Sequence, residues 1–236
     1  TGIEAFTALT SLNCKKNKLN SLDISKNTAL TSLNCSSNYQ LTSLDVSKNT
    51  ALTSLNCSNN YQLTSLDVSK NILLTSLDCR SIKLTSLNIS KNTALTSLSC
   101  SYMQLSSLDV SKHTALTMLN CEKNKLNTLD VSKNTALTSL TCGRNNLTSL
   151  NLSKNILLTS LDCRSIKLTS LDVTKNTNLK EFWCNGNKFT ALNVSKNIAL
   201  TRLDCSYNKL TSLDVSKNTN LTSLNCYKNQ LTKLDV

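Results

Sequence analysis

Eleven cysteines, Cys14, Cys35, Cys57, Cys79, Cys100, Cys121, Cys142, Cys163, Cys184, Cys205 and Cys226, recur at spacings of 21, 22, 22 and then 21 residues throughout. Thiols at so regular a step could cross-link, bind a metal, act as nucleophiles or fill a core. No C-x-x-C pair offers zinc its usual spacing. The single histidine, His113, denies any chemistry that needs two imidazoles and reads as one more turn residue. Only 3 glycines are present, and no nucleophile stands beside a base, so the residues predict no enzyme, no cofactor and no metal site. The thiols are then small apolar side chains of a core.

A second column carries charge: Lys26, Lys48, Lys70, Lys91, Lys112, Lys133, Lys154, Lys175, Lys196 and Lys217, each three residues after an Asp or Asn such as Asp23, Asp45 or Asn88. It supplies much of the net charge of +12. Such a comb could attract an anionic polymer. It could equally be a solvated edge that keeps repeats soluble and unpaired sideways. Aromatic residues are only 4% of the chain, too few for base stacking along a strand, so nucleic acid is disfavoured.

Departures from the repeat mark candidate recognition residues. The residue before each Cys is Asn, Asp, Ser or Thr in ten units and Trp183 in the ninth. Two positions earlier, the usual Ser becomes Met118, Glu181 and Arg202, and Asp204, Tyr207 and Tyr227 lie nearby in the last units. Trp, Tyr and Arg are enriched where binding energy concentrates. Glu181, Trp183, Arg202, Asp204, Tyr207 and Tyr227 form the candidate ligand-binding set, with Glu181 and Arg202 placed to pair. Ser58 serves as a remote surface position for comparison. Tyr39 and Tyr61 sit in the two 22-residue units, in one-residue bulges that would set their rings side by side as a packing device.

The elements that must carry these residues follow from the apolar spacing. One unit runs Leu30-Thr31-Ser32-Leu33-Asn34-Cys35-Ser36-Ser37-Asn38 and then Leu41-Thr42-Ser43-Leu44-Asp45-Val46-Ser47-Lys48-Asn49. Leu33 and Cys35 alternate with polar neighbours, as do Leu44 and Val46, which is strand periodicity. A period this short leaves no room for a helix. Each unit is predicted to be one coil, with a short parallel strand on one face and an extended or 3₁₀ segment on the other, and the coils stack to bury their leucines. Parallel cysteines one strand step apart, about 4.8 Å, sit too far apart for disulfides, whose Cβ atoms approach to about 3.8 Å. Asn replaces Gly and Pro in the turns, where it tolerates left-handed backbone and can bond the next coil. Its column Asn17, Asn38, Asn60, Asn124 breaks at Ile82, Met103 and Ile166, where an apolar group must be buried instead. No apolar run reaches the roughly 18 residues of a membrane span.

The motif L-x-x-L-x-C-x-x-N-x-L followed by L-x-x-L-D-V-S-x-N resembles the bacterial leucine-rich repeat proteins of the internalin type, and within them the internalin J subclass, in which Cys replaces a consensus Leu. The resemblance covers essentially the whole chain. It implies a mainly β, right-handed leucine-rich repeat solenoid of about 11 coils, one parallel sheet face, and few or no α-helices. It also implies a secreted or surface-displayed protein that binds a host or environmental protein or glycan through the strand face. Residues 1–236 read as one solenoid domain, a monomer, belonging to a longer surface protein. The segment Asn71–Leu87 recurs unchanged at Asn155–Leu171, which also suits a passive rod extending another domain. An ice- or mineral-binding array on Thr31, Thr53, Thr75 and Thr96 is the least favoured reading, because Lys and Asn interrupt it.

Overall fold

The structure, a computed structural model, describes residues 2–236. Each unit makes one coil whose strand is three residues long: β1 (Ser11–Asn13), β2 (Ser32–Asn34), β3 (Ser54–Asn56), β4 (Ser76–Asp78), β5 (Ser97–Ser99), β6 (Met118–Asn120), β7 (Ser139–Thr141), β8 (Ser160–Asp162), β9 (Glu181–Trp183) and β10 (Arg202–Asp204). β11 (Ser212–Asp214) lies on the far arc of the coil that holds β10, β12 (Ser223–Asn225) is the strand of the eleventh coil, and β13 (Lys233–Asp235) lies on that coil's far arc. β1 to β10 and β12 form one eleven-stranded parallel sheet in coil order.

The register is in step throughout, with Leu33 opposite Leu55 and Leu55 opposite Leu77. Slipping any strand by one residue would turn its leucine to solvent and its serine inward, so the alternating sequence enforces the register. Of one coil, Leu30, Leu33, Cys35, Leu41, Leu44 and Val46 are all buried. Each large side chain among them contributes about 1.5–3 kcal/mol of transfer free energy. That burial comes from neighbouring coils: Cys14 and Cys226, in the terminal coils, are only half-buried.

The far arc is extended and turn-rich without strand pairing until the C-terminus, where β11 pairs with β13. Among the described residues the sole 3₁₀ segment is Ile3–Ala5, before the first coil, so the 3₁₀ alternative for the far arc is not realised. Among the described residues no helix is long and apolar enough to cross a membrane.

The asparagines act through their amides. Asn145 Nδ2 donates to Cys142 O in its own coil at 2.9 Å and to Cys121 O in the preceding coil at 3.0 Å, while its Oδ1 accepts from Leu126 N at 3.1 Å. Asn187 repeats the pattern on Cys184 O, Cys163 O and Leu168 N. These bonds reach back to the preceding coil rather than on to the next. The expected left-handed backbone is also displaced. It falls two residues after each Cys, on Lys16, Ser37, Asn59, Ser81, Tyr102, Lys123, Arg144, Ser165, Tyr207 and Lys228, with φ between 52° and 59°, and on Gly186. The residue is held there by a ladder bond, such as Lys123 N to Gly143 O at 2.9 Å, so the position accepts several side chains despite the cost of left-handed backbone. Where the amide column is interrupted, Ile82, Met103 and Ile166 are buried, as their apolar character requires.

Candidate functional site

The outward strand positions are built by the same repeats that build the core. Because β9 and β10 are in register, Glu181 faces Arg202 and Trp183 faces Asp204. Arg202 Nη1 lies 3.8 Å from Glu181 Oε1, the expected pair, on a mostly exposed surface that makes the contact worth little to stability. Trp183, Arg202 and Asp204 line a shallow cavity of about 430 Å³ together with Thr222, Ser223 and Asn225. Those last three were not singled out from sequence, because they are ordinary members of their columns; only their place one coil beyond Arg202 brings them in. Tyr207 and Tyr227 are exposed on the turn edge, packed edge to face with centroids 5.6 Å apart. They form their own pair, and among the described residues no aromatic contact joins either to Trp183.

Two details change the expected picture. Trp183 is half-buried rather than exposed. Its register neighbour Asp162 is only 4% exposed, the one buried member of a column that is otherwise half-exposed or open. Asp162 is also held by Arg164, whose Nε approaches both carboxylate oxygens at 3.1 and 2.9 Å and whose Nη2 completes a bidentate pair. Trp183 thus stands in register with the buried carboxylate of an ion pair whose arginine remains partly exposed.

The other detail concerns the residue before each Cys. Asn34 Oδ1 accepts from Ser36 N at 3.2 Å and Ser36 Oγ at 2.8 Å, and Asp204 Oδ1 accepts from Ser206 N at 3.0 Å and Ser206 Oγ at 2.6 Å. This column caps the turn that follows the strand, a local bond Asn and Asp side chains are suited to make. Asp204 therefore offers a ligand only its second oxygen, and Trp183 replaces a cap with an aromatic surface. The same bond explains Ser58, which donates to Asn56 Oδ1 at 2.7 Å and is buried, not a free surface position. The Asp preceding each Lys of the charged column behaves alike: Asp45 Oδ1 accepts from Ser47 N at 2.8 Å, and that bond first, with Lys48 a smaller contributor, holds the carboxyl below its usual range. The lysines themselves are exposed.

The cysteines stand free, and all but the terminal two are buried. Burial, which disfavours the thiolate, pushes Cys35, Cys121 and Cys205 up to about 12. A thiol held protonated is a poor nucleophile and a poor metal ligand, so the ladder is core. The threonine hydroxyls are likewise engaged: Thr53, Thr75 and Thr96 Oγ1 each donate to the carbonyl of the preceding coil's threonine at 3.1 Å. They are not a free array for an ice or mineral surface. Tyr39 and Tyr61 do stack, with centroids 5.3 Å apart and planes 7° from parallel.

One parallel-stranded coil per 21–22 residues, with no α-helix among the described residues and ladders of Cys and Asn, defines a leucine-rich repeat solenoid. Known structures similar to it include proteins of the internalin type. The functional domain of InlJ from Listeria monocytogenes, which includes a cysteine ladder, is 46% identical over 100% of this chain and 52% of that one, with a TM-score of 0.95. The chain thus spans about half the length of that relative. A leucine-rich repeat protein of Leptospira interrogans is 28% identical over 98% of this chain and 64% of its own, with a TM-score of 0.90. An internalin of Listeria monocytogenes, InlF, shares the fold at 21% identity over 99% of this chain and 88% of its own, with a TM-score of 0.75. A family model described as leucine-rich repeats (2 copies) matches residues 198–236. No curated protein matches the chain by sequence.

Proposed function

We propose that the chain is a non-enzymatic binding module of a secreted or surface-displayed bacterial protein, engaging a protein or glycan through its strand face near coils nine to eleven. The observation that carries this reading is the group of three non-repeat side chains on adjacent strands, Glu181 and Trp183 on β9 and Arg202 on β10, with Asp204 in register beside Trp183. Strands of a stacked sheet hold such groups rigidly, so a partner would lose little entropy in ordering them. The indole offers a large apolar face with a polar N–H, the combination favoured at interfaces. Tyr207 and Tyr227 border the patch on the turn edge.

The discriminating variant is Trp183→Asn. Asn stands at this position in several other coils and caps the following turn there, so the fold is expected to remain intact. Screening against a glycan array and host surface proteins identifies the ligand. Its affinity for the variant should fall by at least about 2 kcal/mol, roughly 30-fold. A ligand bound equally by both proteins would move the site elsewhere. The exact repeat of Asn71–Leu87 at Asn155–Leu171 favours a second reading, a passive spacer, since both copies expose the same apolar pair, Ile72 and Leu73 in one and Ile156 and Leu157 in the other. A spacer would show no saturable ligand in the same screen.

A further inference from the structure

The bulges of coils two and three do more than lengthen the repeat. Tyr39 and Tyr61 are stacked yet remain 55% and 48% exposed, so their stacking does not remove them from water. Directly after them the asparagine column fails, and Ile82 and Met103 take its place beneath the surface. Over these two side chains lies a cavity of about 350 Å³, bounded by Tyr61 in coil three, Lys83 in coil four, and Tyr102 and Gln104 in coil five. That volume is within the range of small-ligand sites, about 300–1,000 Å³.

The rim is held in place. Tyr39 supports one face of Tyr61, and Lys123 Nζ sits over the Tyr102 ring, 5.0 Å from its centroid. Lys125 Nζ donates to Gln104 Oε1 at 3.0 Å, which leaves the Gln104 amide hydrogens free to donate. Lys83 Nζ reaches Gln62 Oε1 at 3.4 Å, and a lysine has two further hydrogens to give. No acidic side chain lines the cavity.

We propose that this turn edge is a binding site, separate from the strand-face patch, for a pyranose ring carrying a carboxylate. Aromatic rings present a negative π face, and the C–H groups on one side of a pyranose present a complementary apolar, weakly positive face. Ile82 and Met103 form a floor for the sugar ring. Lys83 meets the carboxylate, and Gln104 donates to a hydroxyl. An uncharged apolar peptide would leave Lys83 and Gln104 without partners. A nucleic acid strand would need a longer run of rings than two across three coils.

The test is calorimetric titration with tetragalacturonate, compared with a neutral galactose tetramer. Tetragalacturonate should bind at least tenfold more tightly and should weaken as salt rises. Tyr61→Ala should reduce its affinity at least tenfold, Tyr61→Phe should retain it, and Lys83→Gln should bring it down to that of the neutral tetramer. Should Tyr61→Ala prove unstable by thermal unfolding, Tyr102→Ala carries the same expectation from an exposed position. Failure of tetragalacturonate to bind, equal binding of the neutral tetramer, or full binding by the tyrosine variants would each overturn the proposal.

Discussion

Trp183 lies beside Asp162 in the register of β9 and β8, and Asp162 is the buried member of its column. The relationship separates two things an aromatic on a repeat surface can do. As a cover, the indole would keep water from the Asp162 carboxylate. As a substitute for Asn or Asp, it forfeits the turn cap that Asn34 and Asp204 make. Trp183→Ala loses the cover without regaining the cap, and should lower stability by about 1 kcal/mol, in line with a typical destabilising substitution. Trp183→Asn regains the cap and should melt higher than Trp183→Ala. Thermal unfolding of the three proteins measures this; identical midpoints would show that the indole covers nothing.

Most of the architecture was legible because each physical requirement repeats eleven times. Leucine alternation showed the strands, and the apolar replacements at Ile82, Met103 and Ile166 were recognisable as burial sites. The position of left-handed backbone was not legible. It depends on how the coil closes, and Lys, Ser, Tyr and Arg occupy it with no compositional mark. Ser58 looked like a surface residue because its cap bond is local and leaves no periodic apolar signal. Of the candidate site, the members that break the repeat were visible. Thr222, Ser223 and Asn225 were not, since they obey it.

The thiol ladder predicts a reactivity order. Native protein should react with a thiol reagent first at Cys14 and Cys226, the half-buried terminal members, and only slowly at the nine buried ones. Denatured protein should release all 11 thiols. Raising the pH to 9 should do little for the buried group, because Cys121 is held near 12 by burial. Rapid modification of Cys121 in folded protein would contradict this.

Stability should be set by nearest neighbours. Leu119 is fully buried between β5 and β7. Leu119→Ala should cost about 2–5 kcal/mol. Amide exchange should accelerate first in coils five to seven and least at the ends of the solenoid. Uniform acceleration from Cys14 to Cys226 would mean that the coils unfold as a single unit.

Acid should loosen the far arc. Asp23, Asp45, Asp67, Asp109, Asp130, Asp172 and Asp214 are each held below the ordinary value of 3.8, chiefly by bonds from the backbone and side chain of the residue two positions on. Carboxylates lowered in the folded state stabilise it above 3.8, and that stabilisation is lost as pH falls through their folded values. Asp78 runs the other way: burial raises it, so its protonation on acidification relieves a cost. Unfolding midpoints should therefore decline below about pH 4, and Asp67→Asn, which retains an acceptor oxygen, should flatten part of that decline. A decline unchanged in several such variants would place the acid sensitivity elsewhere.

His113 interrupts a column in which each asparagine makes two bonds to the coil before it. Asn92 Nδ2 donates to Val68 O and Asn71 O, both at 2.9 Å. Asn134 Nδ2 likewise reaches Val110 O at 2.9 Å and His113 O at 2.8 Å. His113 supplies a single contact, Nε2 to Ile89 O at 3.1 Å, and a carbonyl can only accept, so Nε2 carries the hydrogen. Its Nδ1 is buried without a protein partner. An imidazole has one N–H to offer where an amide has two, and the second carbonyl, Asn92 O, receives no bond from it. His113→Asn should restore the pair and raise stability by about 1 kcal/mol, the net worth of one intramolecular hydrogen bond. The reverse change, Asn134→His, should lower it by a similar amount. Urea unfolding of both variants reads the two effects. If His113→Asn instead unfolds earlier, the larger ring contributes more by filling its turn than the missing bond costs, and the column is selected for volume rather than for hydrogen bonding.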